Sequence, residues 1–271
     1  MWAFTCGVVS TGLPVRDRLG SVALGVLITG PLVCATSQAS NDWFDRHVDA
    51  INEPHRPIPS GRMPGTWGLR IAIVWTLLSL AAAIPLGPTG VLAVAIALAF
   101  AWAYSAPPFR LKQNGWIGNA AVGVTYEGLA WVTGALILLD GAMPSIRIVL
   151  IAALYSLGAH GILTLNDFKA IDGDRQMGIR SLPATLGPQR AAWVLCAVML
   201  LPQVVVLALL TSWGATGSAL VITGLVLVQL AQMAYFLRAP RERALFLSAV
   251  GVPFSVAGMM VTAVALRGLP A

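Results

Sequence analysis

The chain has 271 residues, 57% of them hydrophobic and 10% charged, with a net charge of +6 and a mean hydropathy of +0.79. Soluble domains carry about 25% charged residues, so a soluble globular fold is excluded. Uncharged runs of this length cross lipid only as helices. The expectation is an all-α polytopic protein with its partner surface in the lipid bilayer, forming a single intramembrane domain over residues 1–271.

Residues 1–15 are uncharged but at about 1.5 Å per residue reach only ~22 Å, short of a hydrocarbon core of about 30 Å. The first helix is therefore expected to be N-terminally truncated. No basic residue precedes that apolar run, which argues against a cleavable signal peptide. Residues 19–40 form a full second span, and residues 71–109 hold two more, divided at Pro85, Gly87 and Pro88 into about 68–85 and 89–105. A fifth span at 118–139 carries Glu127, and a sixth at 148–166 carries His160. The uncharged run 191–237 divides at 211–217 into two spans, and residues 244–266 bring the total to about nine.

With those spans in place, 13 of the 17 Lys and Arg fall in loops on one side, leaving Arg16, Arg18, Arg147 and Arg267 on the other. This is the asymmetry of a membrane protein with a cytoplasmic basic face, not of a nucleic-acid binder. Cys6, Cys34 and Cys196 lie singly in apolar segments without metal-ligand spacing, as small core residues do.

The chemistry concentrates where the second span ends. Residues 41–61 read NDWFDRHVDAINEPHRPIPSG. On a continuing helix Asn41, Asp42, Asp45 and Asp49 share an arc of about 100°. Carboxylates so close repel, and Mg²⁺ relieves the repulsion through one or two protein carboxylates, water and substrate phosphate oxygens. An acidic face at a membrane boundary thus suggests a Mg²⁺-bridged phosphate ester with a lipid tail. The sixth span ends likewise, in NDFKAIDGDRQMGIRSLP at 166–183. A shift of 125 positions lays Asn41-Asp42 on Asn166-Asp167 and Asp49 on Asp174. On a continued helix Asn166, Asp167 and Asp174 share one arc while Asp172 points away, unless Gly173 unwinds the turn. Two opposed acidic faces could hold Mg²⁺ around a diphosphate, with Asp42, Asp45 and Asp167 as its catalytic core.

Arg56, Lys112, Lys169, Arg175 and Arg180 are candidate diphosphate contacts, or else topology charges; prolines stiffen the loops around Arg56 and Lys112. Tyr104 either hydrogen-bonds the phosphate or packs at the interface. Glu127 and His160 are ionisable groups at mid-span, which are costly and point either to substrate or to an interhelical hydrogen bond. A transporter would share the repeat and the many spans, but its ionisable residues should cluster at the midplane.

The motifs NDxxDxxxD at 41–49, YSxPPxRxK at 104–112 and the acidic motif opening at Asn166-Asp167 resemble the UbiA superfamily of intramembrane prenyltransferases over nearly the whole chain. Within it, residues 50–61 and 166–183 are similar to chlorophyll synthases, most closely to the bacteriochlorophyll branch. The resemblance implies a nine-helix bundle with a lateral opening to lipid and a cytoplasmic-side cap over a central cavity. It implies Mg²⁺-dependent transfer of a geranylgeranyl or phytyl group from its diphosphate to the propionate of (bacterio)chlorophyllide. The metal–diphosphate residues carried over are Asn41, Asp42, Asp45, Asp49, Asp167 and Asp174, with Arg56, Tyr104, Arg110 and Lys112 around the phosphate. Many relatives have DxxxD in the second motif, and Ile171 departs from it, so Asp172 or Asp174 must supply that ligand. The implied location is the cell inner photosynthetic membrane with the site facing the cytoplasm, and a complex with other pigment-synthesis or photosystem-assembly proteins would fit it. A quinone precursor or haem is the alternative acceptor.

Overall fold

A computed structural model describes residues 1–269, and no β-strand occurs among them. Eleven helices are numbered here in chain order. The short α1 (Trp2–Ser10) precedes α2 (Arg16–Ile51), a 36-residue helix with a π-helical turn at Ile28–Leu32, where Pro31 interrupts the hydrogen-bond ladder. The 39-residue apolar stretch Trp67–Ser105 folds back near Gly87, whose φ of +77° suits glycine. It yields α3 (Trp67–Ala83) and α4 (Gly87–Ser105). Next come α5 (Gly115–Leu138), with a π-helical turn at Val124–Leu129, and α6 (Ile146–Asp167). Two short helices, α7 (Ile171–Gln176) and α8 (Leu182–Leu186), lead to α9 (Pro188–Ser212), α10 (Thr216–Phe236) and α11 (Pro240–Arg267).

Seven helical stretches are long and apolar enough to cross a membrane. The fold-back at Gly87 makes eight, and α1 adds a ninth that is too short to span alone. This agrees with the expected count of about nine. The second acidic stretch departs from expectation. Instead of continuing as helix, α6 stops at Asp167, and residues 168–170 turn before α7 begins. Phe168 and Ile171, each 1% exposed, pin that turn into a core shared with α9 and α10.

Close approach of the short α1 to its neighbours depends on glycine. A Cβ on Gly7 would lie 1.9 Å from the Trp131 carbonyl oxygen, and one on Gly134 would lie 2.1 Å from that of Phe4. Small residues give such contact between membrane helices, where dispersion replaces the hydrophobic effect. Farther along, Gln203 and Gln229 exchange two 3.0 Å amide hydrogen bonds, and Ser255 donates to Gln229 Oε1 at 2.8 Å, joining α9, α10 and α11. We expect Gly134→Leu, which drives a side chain into α1, to cost about 1–3 kcal/mol, read as a lower thermal midpoint in detergent. An unchanged midpoint would show that α1 does not need this contact.

Candidate active site

The site is organised by the first turn of α5. Asn114 caps that helix, its Oδ1 accepting from the backbone N–H groups of Trp116 and Ile117 at 3.0 and 3.2 Å. Gly115 N–H donates to the Arg180 carbonyl, and Arg180 N–H donates to that of Gln113, both at 2.9 Å. A Cβ at Gly115 would stand 2.9 Å from Ser181 Cα, and one at Gly118 would stand 3.0 Å from Lys112 Cα. The loop before α5 and the loop after α7 therefore both lie against the same helix end. Arg110, at φ +40°, turns the first of these loops in the left-handed region that non-glycine residues seldom adopt.

Five aspartates border a cavity of about 580 Å³ beside that helix end, Asp172 at its rim, together with Arg56, Tyr104, Lys112, Asn119 and Lys169. Asp45 and Asp49 come from α2, Asp167 from α6 and Asp174 from α7. The two pairs are held differently. Asp45 is ion-paired with Lys112 and with Arg110 at 3.3 Å, and it accepts from Asn41 Nδ2 at 3.1 Å. Arg56 reaches Asp42 and Asp49 at 3.1 Å each and also pairs with Glu53. By contrast, Asp167 accepts from Asn119 Nδ2 at 3.3 Å, and Asp174 accepts from the Ser181 hydroxyl. Neutral donors meet the second pair and cations meet the first.

Burial pushes the Asp174 carboxyl above the ordinary carboxylate range, with the Ser181 hydrogen bond opposing. It pushes the Lys112 ammonium below the ordinary lysine value, with Asp45 opposing. In both cases the loss of water around the charge outweighs the local partner.

The other expected residues are spread out. Asn41 borders the cavity, and Asp172 stands at its rim, tied to Arg241 on the first turn of α11. Asp42 does not border it; Gln38 donates to its Oδ1 at 2.6 Å and Arg56 holds the same oxygen. Asn166 is exposed. Arg175 is exposed too and donates to the Ala184 carbonyl at 3.2 Å. Arg180 contributes its backbone to the loop junction while its side chain is exposed. His160 lies elsewhere, in a groove between α5 and α6, 5.4 Å from the Trp116 ring and 3.2 Å from that residue's carbonyl. Glu127 borders a second space of about 430 Å³.

The sequence reading missed Asn119 and Ser181. Asn119 is 6% exposed and also donates to Thr164 Oγ1 at 3.1 Å. An amide inside an otherwise apolar run was its available signal, of the same kind that singled out Glu127.

The donors around the cavity are oxygens, as Mg²⁺ prefers. Among the described residues no three acidic, histidine or cysteine side chains converge into a ready-made cage. That suits an ion held by one or two carboxylates, with water and phosphate oxygens completing its shell. Arg110 Nε is buried without a hydrogen-bond partner, and Lys112 Nζ is engaged only by its ion pair with Asp45, so both retain donor capacity for an anion. The residues present therefore fit a magnesium–diphosphate ligand.

The chain matches the UbiA prenyltransferase family over residues 1–261. It is 52% identical to the bacteriochlorophyll synthase 33 kDa chain of Rhodobacter capsulatus, covering 99% of this chain and 89% of that protein. It is 38% identical to the chloroplastic chlorophyll synthase of Avena sativa, covering 98% of this chain and 72% of that one. Among solved structures, a UbiA homolog from Archaeoglobus fulgidus bound to GPP and Mg²⁺ superposes with a TM-score of 0.63 at 20% identity, over 99% of this chain and 96% of the other.

Replacing Lys112 with alanine removes a buried cation, and replacing Asn119 with alanine releases Asp167. Each variant is expected to bind magnesium pyrophosphate at least ten-fold more weakly in calorimetry, about 1.4 kcal/mol. Wild-type affinity would remove the altered residue from the site.

Proposed function

The chain belongs to the UbiA prenyltransferase family, and from that premise we propose that it transfers a geranylgeranyl or phytyl group from its diphosphate to the propionate of bacteriochlorophyllide. The observation that carries this reading is the single cavity in which Asp45, Asp49, Asp167 and Asp174 meet Arg56 and Lys112. Its acceptor is taken from the likeness to the bacteriochlorophyll and chlorophyll synthases.

In this reading Asp45 and Asp49 on one wall, and Asp167 and Asp174 on the other, are the residues that would hold Mg²⁺. Bound there, Mg²⁺ neutralises the diphosphate's charge and makes it a better leaving group. Asn119 and Ser181 fix the two carboxylates of the second wall, so that each is oriented before substrate arrives. Lys112, Arg110 and Arg56, already facing carboxylates, lie within reach of phosphate oxygens and stabilise the charge that develops on departure. The bond from the prenyl C1 to the bridging oxygen breaks, and the electron pair leaves with the diphosphate. A propionate oxygen then gives its lone pair to the allylic carbon. Propionate is anionic near neutral pH, so no base need take a proton. Apolar side chains beside Tyr104, among them Ala97, Phe100 and Ala101, keep water from the cation.

Membrane orientation belongs to the same proposal. Arg56, Arg110, Lys112, Lys169 and nine other basic residues belong to the loops on the cavity side, which the positive-inside rule assigns to the cytoplasm. The membrane is the photosynthetic inner membrane, where the pigment is used.

Purified protein in lipid, given bacteriochlorophyllide, geranylgeranyl diphosphate and Mg²⁺, is expected to yield esterified pigment by chromatography, and a chelator is expected to stop it. Turnover that survives metal removal would overturn the metal assignment. Product with a quinone precursor or haem in place of the pigment would move the acceptor. Asp45→Ala and Asp167→Ala are each expected to lower turnover by roughly 10²–10³, the loss seen when one electrostatic partner of a developing charge is deleted. Wild-type rates in folded protein would exclude the altered aspartate from the reaction.

A further inference from the structure

Three spaces converge on one side chain. Tyr104 borders the acidic cavity of about 580 Å³, the second chamber of about 430 Å³, and a narrow apolar space of about 50 Å³ between α2, α4 and α5. The narrow space is lined by residues such as Val33, Ala97 and Phe100, with hydroxyls but no side-chain amide or carboxyl. The second chamber differs in kind. Gln38 and Glu127 stand in its wall beside Ile162 and Leu163, and its size falls in the range of small-molecule sites.

Glu127 makes this chamber specific. Its Oε2 is buried without a hydrogen-bond partner among the described residues. A carboxyl oxygen left so is expensive unless an occupant satisfies it. The carboxyl sits on the π-helical turn Val124–Leu129, and turns of that kind recur at functional sites. A hydrocarbon tail in this chamber would leave Glu127 unsatisfied; an occupant edged with carbonyl oxygens would not, the carboxylic acid donating its O–H to one of them. Gln38 links the chamber to the acidic end, because the same amide that borders it donates to Asp42.

We propose that the Glu127 chamber receives the acceptor, and that Glu127 and Gln38 are specificity-determining residues that hold polar substituents on the edge of a flat macrocycle while its propionate reaches Tyr104. The proposal rests on the prenyl-transfer reading above. It places bond formation at Tyr104, which borders both the chamber and the acidic cavity. Glu127 acts by contact with the macrocycle and takes no part in the departure of diphosphate.

The test separates the two substrates. Bacteriochlorophyllide is titrated, without prenyl diphosphate, into wild-type, Glu127→Gln, Glu127→Leu and Ile162→Trp protein in lipid nanodiscs, followed by pigment absorbance. Steady-state KM values for both substrates are then measured on the same samples, with thermal midpoints as the control for folding. The expected result is at least ten-fold weaker pigment binding and at least ten-fold higher acceptor KM in Glu127→Leu and Ile162→Trp. Glu127→Gln, which keeps a hydrogen-bonding group, should stay near wild type, and KM for the diphosphate should stay within two-fold throughout. A rise in the diphosphate KM instead would give the chamber to the tail and overturn the assignment. Unchanged pigment binding in both Glu127→Leu and Ile162→Trp, or a wild-type protein that binds no pigment, would overturn it as well. If wild type binds pigment but forms no ester, the catalytic reading fails while the chamber assignment stands or falls on the titration.

Discussion

Carboxylates from the two halves of the chain share one cavity, and the groups near it make that arrangement tolerable. Like charges withdrawn from water repel more strongly than at a surface, so every acid must meet a donor fixed in place beforehand. The start of α5 supplies or positions most of them. Lys112 lies just before it, Asn119 lies on it, and Ser181 is carried by the loop that bonds to its end. Gly115 and Gly118 are small because two loops must touch the helix at that level. The site thus depends on one helix terminus more than on either acidic motif.

The unequal treatment of the two acidic pairs has a physical meaning. A carboxylate facing arginine or lysine is already neutralised, and another cation must compete for it. One facing an amide or a hydroxyl keeps its negative potential. Asp45 and Asp49 belong to the first kind, Asp167 and Asp174 to the second. The cations on the first side are also the groups a phosphate would seek, so an anionic ligand and the acids of α2 contend for the same partners.

Much of this was legible in the sequence. Uncharged run lengths set the helix count within the limits of α1, and spacing gave the acidic arc on α2, because α2 does continue unbroken past residue 40. The same helical spacing failed on α6. There the burial of Phe168 and Ile171 against α9 and α10 ends the helix at Asp167, and long-range packing leaves no periodic trace in a short polar segment. Asp172 and Asp174 could not be told apart for the same reason: the turn exposes one to Arg241 and buries the other beside Ser181. Asn166 and His160 carried strong local signals, yet α6 directs them away from the acidic cavity. Asn119 carried a weak one, since a lone amide in an apolar run does not reveal which carboxylate it will face 48 positions later.

The length of α2 has a mechanical consequence. Thirty-six residues of helix measure about 54 Å, well beyond the roughly 30 Å of hydrocarbon, so the acids of α2 stand on a mast rising out of the lipid. The π-helical turn at Ile28–Leu32 divides that mast into a lower section in the bilayer and an upper section bearing Asp42, Asp45 and Asp49. A membrane of different thickness can tilt the lower section while the upper one stays moored to the neighbouring loops by Arg56, Arg110 and Lys112. Changes in the lipid are thereby kept out of the alignment of the two acidic walls.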